Sequence, residues 1–355
     1  MAQQAPGEAA GSSLDLPAVS YVMPILNEAD HIESAVQSML DQDYPGDVQI
    51  VLALGPSTDG TTELVHRMSQ RDPRIQSVDN RSGSTPAGLN AAIRATVHPI
   101  VVRVDAHSVL PPDYTRIAVE TLQRTGADNV GGVMFAEGRT PFEKAVARAY
   151  RTRVGLGGTA HHVGGKEGPA ETAYLGSFQR HRLLEVGLFD EGIRRGQDWE
   201  LNRRLRATGG VVWFTPRMKV TYRPRSGVRP LVKQFFATGL WRGDLARRFT
   251  RSNSIRYFVP PIMVLAVVLG TLIGIAGLAA SAAGSALAWL TLAFVIPVVY
   301  VLFVVVSTVL VAARDGFASM LWFLLVLPCI HFSWGVGFIF GFFRLTGDLT
   351  GHTGR

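Results

Sequence analysis

The chain contains one cysteine, Cys329, in 355 residues. It lies within an apolar run, which excludes an internal disulfide framework and a cysteine-built metal centre. Charge is also sparse: 18% of residues are charged, 47% are hydrophobic, and the net charge is +7. There is no zinc-finger spacing and no arginine-rich arm, so no nucleic-acid partner is expected. The first apolar strand is not followed by G-x-G-x-x-G, which argues against a dinucleotide-dependent dehydrogenase. Met1–Leu16 has neither the basic start nor the apolar stretch of a signal peptide. Residues 1–17 therefore read as a disordered tail, ahead of a catalytic part that stays in the cytoplasm.

Apolar residues are concentrated after Arg256, and basic residues crowd between Lys219 and Arg256. Such a cluster next to apolar spans suits anionic lipid headgroups. The runs Phe258–Ala280, Leu287–Val311 and Phe317–Phe343 each exceed the ~20 residues needed to cross a bilayer. Pro230–Arg251 carries Leu231, Phe235, Phe236, Leu240, Trp241 and Leu245 among basic residues, the pattern of an interfacial helix with aromatic anchors. Counting positive charge puts Arg242–Arg256 and Arg314 on the cytoplasmic side. Three crossings would then leave Arg344–Arg355 outside. The expected organisation is a catalytic domain at 18–229, an interfacial region at 230–256, three membrane helices within 257–343, and a tail at 344–355.

The catalytic part alternates between strand and helix patterns. Strands are expected at Ala18–Ile25, Val48–Leu54, Ile75–Val78 and Val101–Val104, with helices between them. This spacing predicts parallel βαβ units, an α/β domain with a Rossmann-like, mostly parallel sheet. The fourth strand ends in Asp105-Ala106-His107. Alternation along an extended chain puts Asp105 and His107 on one side, at the sheet edge where open α/β folds bind ligands. A carboxylate with an imidazole suits Mn²⁺ or Mg²⁺. The plain alternative is a turn Asp followed by a solvated His.

Several motifs occur in order: Pro24–Glu28 (P-x-x-N-E), Ser57–Thr61 (S-T-D-G-T), Leu89–Ile93, Asp105–His107, Gly131–Val133, Tyr174–Phe178 with Gly187–Glu191, and Gln197–Leu205 (Q-D-W-E-L-N-R-R-L). Together they resemble the family 2 glycosyltransferases, inverting enzymes of the GT-A fold. V-R-V-D-A-H and the C-terminal apolar helices are most similar to the succinoglycan-type exopolysaccharide transferases. The resemblance covers about residues 18–250. It departs from the pattern at Leu54-Gly55-Pro56, where the family often has an aspartate reading the uracil ring. The usual D-x-D is D-x-H here. The Gln-x-x-Arg-Trp of processive synthases is missing, with Gln234 and Trp241-Arg242 as a loose echo.

The resemblance implies transfer from a nucleoside-diphosphate sugar, a UDP-sugar in the first instance, to a hydroxyl of a lipid-linked saccharide at the cell membrane. It makes Asp198 the catalytic base, although an Asp at a helix start is otherwise an ordinary cap. Asp105 and His107 would hold the metal. Pro24, Leu26, Glu28, Arg81, Asn90 and Asp105 would line the donor side; Arg81 also reads as a solvated loop charge, and Asp59 as a cap. Arg103 is expected to pair with a nearby carboxylate. Tyr150–Gly168, with His161-His162, reads as a mobile loop over the site whose adjacent histidines point apart. Two other readings are a polyprenyl-phosphate sugar synthase and a non-catalytic membrane assembly subunit.

Overall fold

The computed structural model describes residues 16–250, 253–349 and 351. The tail expected at 1–17 therefore falls outside the described residues, apart from its last two. The order is β1 (Val19–Ile25), α1 (Ile32–Leu40), β2 (Val48–Leu54), α2 (Thr61–Arg71), β3 (Ile75–Asp79), α3 (Thr85–Ala95), β4 (Ile100–Arg103), α4 (Tyr114–Thr125) and β5 (Asn129–Ala136). There follow α5 (Pro141–Tyr150), α6 (Arg153–Leu156), α7 (Ala160–Val163), β6 (Gly168–Pro169), β7 (Tyr174–Gln179), α8 (Arg180–Glu185), α9 (Gln197–Ala207) and β8 (Val212–Tyr222). The last helices are α10 (Val228–Arg248), α11 (Val259–Ala282), α12 (Val295–Ala312) and α13 (Phe317–Phe342).

One eight-stranded sheet runs β3-β2-β1-β4-β7-β5-β8-β6. Strands β1 to β4 are parallel, as expected of strands separated by crossover helices. β7 enters antiparallel between β4 and β5. The chain turns from building leftward (β1, β2, β3) to building rightward (β4), so the switch point lies between the carboxyl ends of β1 and β4. The motifs Pro24–Glu28 and Asp105–His107 both emerge there. Apolar side chains bury on both faces: Ile32, Val36, Tyr114 and Ile117 on one, Leu89, Ile93, Leu201 and Leu205 on the other.

The apolar helices differ from one another. All three stretches are long and apolar enough to cross a membrane, but half of the most apolar window of Phe317–Phe342 is buried, against 22% and 17% for the other two. α13 is covered by α10. The two run side by side in the same direction, and glycines on each meet the backbone of the other. A Cβ at Gly239 would stand 2.0 Å from the Trp334 carbonyl oxygen, one at Gly243 2.1 Å from that of Phe338, and one at Gly341 1.9 Å from that of Leu240. Small residues four apart are what such close helix contact requires.

Of the residues expected on an interfacial helix, Leu231, Phe235, Leu240, Trp241 and Leu245 are buried inside the protein, against α13 and the catalytic domain, while Phe236 is only half-buried. After α13 the chain stays beside the catalytic domain as far as Leu349. Leu349 packs on Ile193, Trp199, Trp241 and Leu245. At the other end of α13, Asp315 takes two hydrogen bonds from Arg148 of α5, at 2.6 and 2.5 Å, and Phe142 meets Trp322 edge-to-face at 5.3 Å. Both ends of this helix, ~39 Å long at 1.5 Å per residue, therefore touch the catalytic domain.

Replacing Gly341 with Val should force α10 and α13 apart and cost about 3 kcal/mol or more, the upper range for overpacking against unyielding backbone. Thermal unfolding of the purified chain checks this. Gly347→Ala, where no atom lies within 4 Å of the added carbon, should leave the midpoint unchanged.

Candidate functional site

Two loops at the switch point hold each other in place. Asn27, with φ of 54°, donates its backbone N–H to Ser57 Oγ at 3.0 Å and accepts from the Thr58 N–H at 2.8 Å. The Glu28 N–H donates to Thr61 Oγ1, and the Ala29 N–H to Asp59 Oδ2. Asp59 also accepts from the Thr61 N–H and hydroxyl, so it ties the loops together. Gly55 stands in the departure from the family pattern, and a Cβ there would lie 2.9 Å from the Ile25 carbonyl oxygen. β1 and β2 close too tightly at this point for a larger residue.

Arg103, the last residue of β4, is buried and joins two carboxylates. Its Nη2 lies 3.0 Å from Asp105 Oδ1, and its Nη1 donates to Asp198 Oδ1. Burial alone would disfavour its charge, but Asp198 and Asp105 outweigh that and hold the guanidinium above its ordinary pKa. Asp198 does not cap its helix. Gly196, in the left-handed region, takes that place, and Asp198 sits one residue inside α9. Loss of water around the Asp198 carboxyl raises its pKa, Arg103 opposes this, and Asp105 adds to it; the net direction is upward. A carboxylate with a raised pKa and a third of its side chain open to solvent is suited to accept a proton.

Asp105, His107 and Asp198 line one cavity of about 660 Å³. Glu28 approaches His107, its Oε1 3.8 Å from His107 Nδ1. Pro24 and Leu26 lie at the end of β1, and Arg81 is exposed on the loop after β3. Asn90 is engaged elsewhere: its side-chain amide donates to the Phe189 carbonyl and Glu191 and accepts from the Phe189 N–H, all at 2.9 Å. It braces the 187–191 loop, which corrects the expectation that it faces the cleft. Arg103 was legible as a lone charge in an apolar strand, which must find partners when buried. The residues that sequence reasoning missed are Tyr174, Trp199 and Tyr257, which also line the cavity.

The Tyr150–Gly168 stretch is not one open loop. It holds the short helices α6 and α7, with His161 and His162 on a helical turn, their rings 4.2 Å apart. It forms part of the cavity wall. His331 of α13 accepts or donates at two points, Nε2 2.7 Å from the Val154 carbonyl and Nδ1 3.2 Å from Tyr300 Oη. Since the Val154 carbonyl can only accept, Nε2 carries the proton and Tyr300 donates to Nδ1.

The chemistry of the donor set fits a divalent cation. Asp105 and His107 supply an oxygen and a nitrogen to the same cavity. Among the described residues no group of three His, Cys, Asp or Glu side chains could hold a metal by itself. Diphosphate oxygens and water would complete the set, the usual arrangement for cations that accompany phosphates.

A family model described as glycosyl transferase family 2 matches residues 20–181. The chain is 32% identical over 256 residues to the succinoglycan biosynthesis protein ExoA of Rhizobium meliloti, covering 72% of this chain and 77% of that one. It is 24% identical over 240 residues to a Methanococcus voltae enzyme named dolichyl N-acetyl-alpha-D-glucosaminyl phosphate 3-beta-D-2,3-diacetamido-2,3-dideoxy-beta-D-glucuronosyltransferase, covering 65% of this chain and 74% of that one. Among solved structures it is similar to a Pyrobaculum calidifontis mannosyltransferase in complex with GDP-Man and Mn²⁺. The TM-score is 0.53 at 20% identity, over 93% of this chain and 90% of that one. This last likeness speaks to the fold.

Arg103→Met should destabilise the protein by about 3 kcal/mol. That is the low end for a broken buried pair, because both carboxylates keep some access to water. Combined with Asp198→Asn the losses should add to less than their sum, because the two residues are in contact. Urea midpoints of the two single variants and the double variant test this.

Proposed function

The chain belongs to glycosyl transferase family 2, and from that premise we propose that it is a membrane-anchored inverting transferase with a lipid-linked saccharide acceptor. It moves a sugar from a nucleoside-diphosphate donor, a UDP-sugar in the first instance, to an acceptor hydroxyl. The observation that carries the reading is Arg103 reaching both Asp105 and Asp198. Those two carboxylates belong to distant stretches of chain and face the same cavity, so one can serve the leaving group while the other serves the nucleophile.

In this reading Asp198 takes the proton from the acceptor hydroxyl as its oxygen attacks the anomeric carbon from the face opposite the diphosphate. Arg103 keeps Asp198 ionised and oriented until then. Asp105 and His107 would hold Mn²⁺ or Mg²⁺, which would supply positive charge to neutralise the departing diphosphate. Pro24, Leu26 and Glu28 border the nucleoside, and Arg81 reaches it from the loop after β3. Asn90 acts at one remove, by bracing the 187–191 loop. The cavity also touches Val259 and Pro260 of α11 and Ile330, His331 and Trp334 of α13, which favours an acceptor carried on lipid.

We further propose that the α11–α12 hairpin crosses the membrane twice. α13 then lies along its cytoplasmic side beneath the catalytic domain. The contacts of Asp315 with Arg148 and of Leu349 with Trp199 and Trp241 support an even number of crossings. The basic residues Arg247, Arg248, Arg256 and Arg314 then share the catalytic domain's side, as positive-inside counting requires.

Asp198→Asn should lower turnover on a hydroxyl acceptor on the order of 10²–10⁴-fold. Retained turnover would instead favour a lipid-phosphate acceptor, which needs no base. Radiolabelled transfer from a panel of nucleotide sugars, with Mn²⁺ and with Mg²⁺, reads both outcomes. For topology, single cysteines at Ala283 and Gly347 in a Cys329→Ser background should label from opposite sides of sealed vesicles. Labelling from one side would restore three crossings.

A further inference from the structure

The cavity has a second polar region, away from Asp105. Arg153, Arg195, Arg242 and Arg256 all line it. Arg242 comes from α10, on the wall shared with α11 and α13. Its guanidinium lies between two rings, 4.7 Å from the centroid of Trp199 and 4.3 Å from that of Tyr257. Its Nη1 is buried and has no hydrogen-bond partner. Among the described residues no carboxylate lies within ion-pair distance of it. The neighbouring Arg256 is paired with Glu171, Nη2 2.5 Å from Oε2.

Burial, with Arg256, disfavours the charge on Arg242 and lowers its pKa, and Tyr257 and Glu171 only partly offset this. Burial together with Arg256 and Arg242 pushes His161 down to about 4, and burial with His161 keeps His162 well below the ordinary imidazole value. Both are therefore neutral at pH 7. Ring stacking is favourable for a guanidinium but leaves Nη1 of Arg242 unsatisfied. A half-buried cation whose buried Nη1 donor is idle is costly unless an anion completes it. The anion that a planar guanidinium fits best, other than a carboxylate, is a phosphate. Beyond Arg242 the wall turns apolar, through Val259, Pro260, Ile330 and Trp334.

We propose that Arg242, stacked between Trp199 and Tyr257, binds the phosphate group of a lipid-linked acceptor, on the wall of the cavity to which α10, α11 and α13 all contribute. This rests on the reading of the chain as a lipid-acceptor transferase, and it names the group by which that acceptor is held. Trp199 is the residue after Asp198, so a phosphate at Arg242 fixes the acceptor saccharide next to the base. The donor diphosphate belongs to the other wall, at Asp105 and His107.

The test uses the full chain in phosphatidylcholine nanodiscs, as wild type, Arg242→Gln and Arg242→Lys. Calorimetry measures binding of farnesyl diphosphate, farnesol, inorganic pyrophosphate, and Mn²⁺ with UDP or GDP. Arg242→Gln should weaken farnesyl diphosphate at least tenfold while farnesol and the Mn²⁺–nucleotide change less than twofold. Arg242→Lys, which keeps the charge without the planar fork, should weaken farnesyl diphosphate several-fold, and it carries the test if the Gln variant does not fold. Unchanged farnesyl diphosphate binding in both variants overturns the proposal. So does a parallel loss of nucleotide binding, which would give Arg242 to the donor, and so does pyrophosphate binding as tight as the farnesyl ester, which would mean that the lipid is not read. Donor hydrolysis by the wild type is followed separately. If it is present while the farnesyl diphosphate result fails, this site alone is wrong. If it is absent while Arg242-dependent farnesyl diphosphate binding holds, the phosphate site stands and the transferase reading falls.

Discussion

One buried guanidinium at the end of β4 fixes the geometry on which the site depends. Asp105 and Asp198 approach the same cavity from stretches of chain more than ninety residues apart, and two carboxylates so placed would raise each other's pKa. Arg103 lies between them with a planar fork that serves both. It is held on a strand whose neighbours β1 and β7 cover it on either side, so its position is set by the sheet rather than by a loop. α9 in turn must present Asp198 at the first turn of the helix, and the left-handed Gly196 supplies the sharp entry that does so.

The second constraint is the close contact of α10 with α13. Glycines on both helices bring the backbones together, and this places α13 across the underside of the catalytic domain. The cavity therefore has two kinds of wall. One is the carboxyl edge of the sheet, polar and bearing Asp105 and His107. The other is built from helices whose remaining surface is apolar. Arg242 and Trp199 stand where the two meet. A substrate with a sugar at one end and a hydrocarbon at the other matches that division of the surface.

Much of this was legible in the sequence because its signals are local. The strand-end Asp105-Ala106-His107, the loop punctuation at Ser57–Thr61 and the helix opening at Gln197 each declare themselves within a few residues. The parallel half of the sheet follows from its spacing. Less legible was whatever depends on which apolar surface meets which. The pattern at Leu231–Leu245 is amphipathic whether its partner is lipid or α13, because hydrocarbon and a leucine-rich helix look alike to it. Asn90 looks cleft-facing from its motif, yet it is used by backbone groups a hundred residues away. The placement of β7 and the stacking of Arg242 on Trp199, 43 positions apart, leave no local trace. Counting charges also gave no sign that Leu349 would pack beside Trp199 and Trp241, because length and hydropathy do not reveal which protein surface the end of a helix meets.

The hydrogen bond from His331 to the Val154 carbonyl has a practical meaning. It suspends part of the cavity roof from a helix that every motif-based boundary would assign to the anchor. Trimming the gene after Arg256 to obtain a water-soluble enzyme would delete that suspension together with Pro260, Ile330 and Trp334, leaving the vessel without one side. For this chain a detachable C-terminal part is a fiction of the domain diagram: the apolar helices wall the same cavity as Asp105 and Asp198, and a faithful preparation keeps the two in one piece.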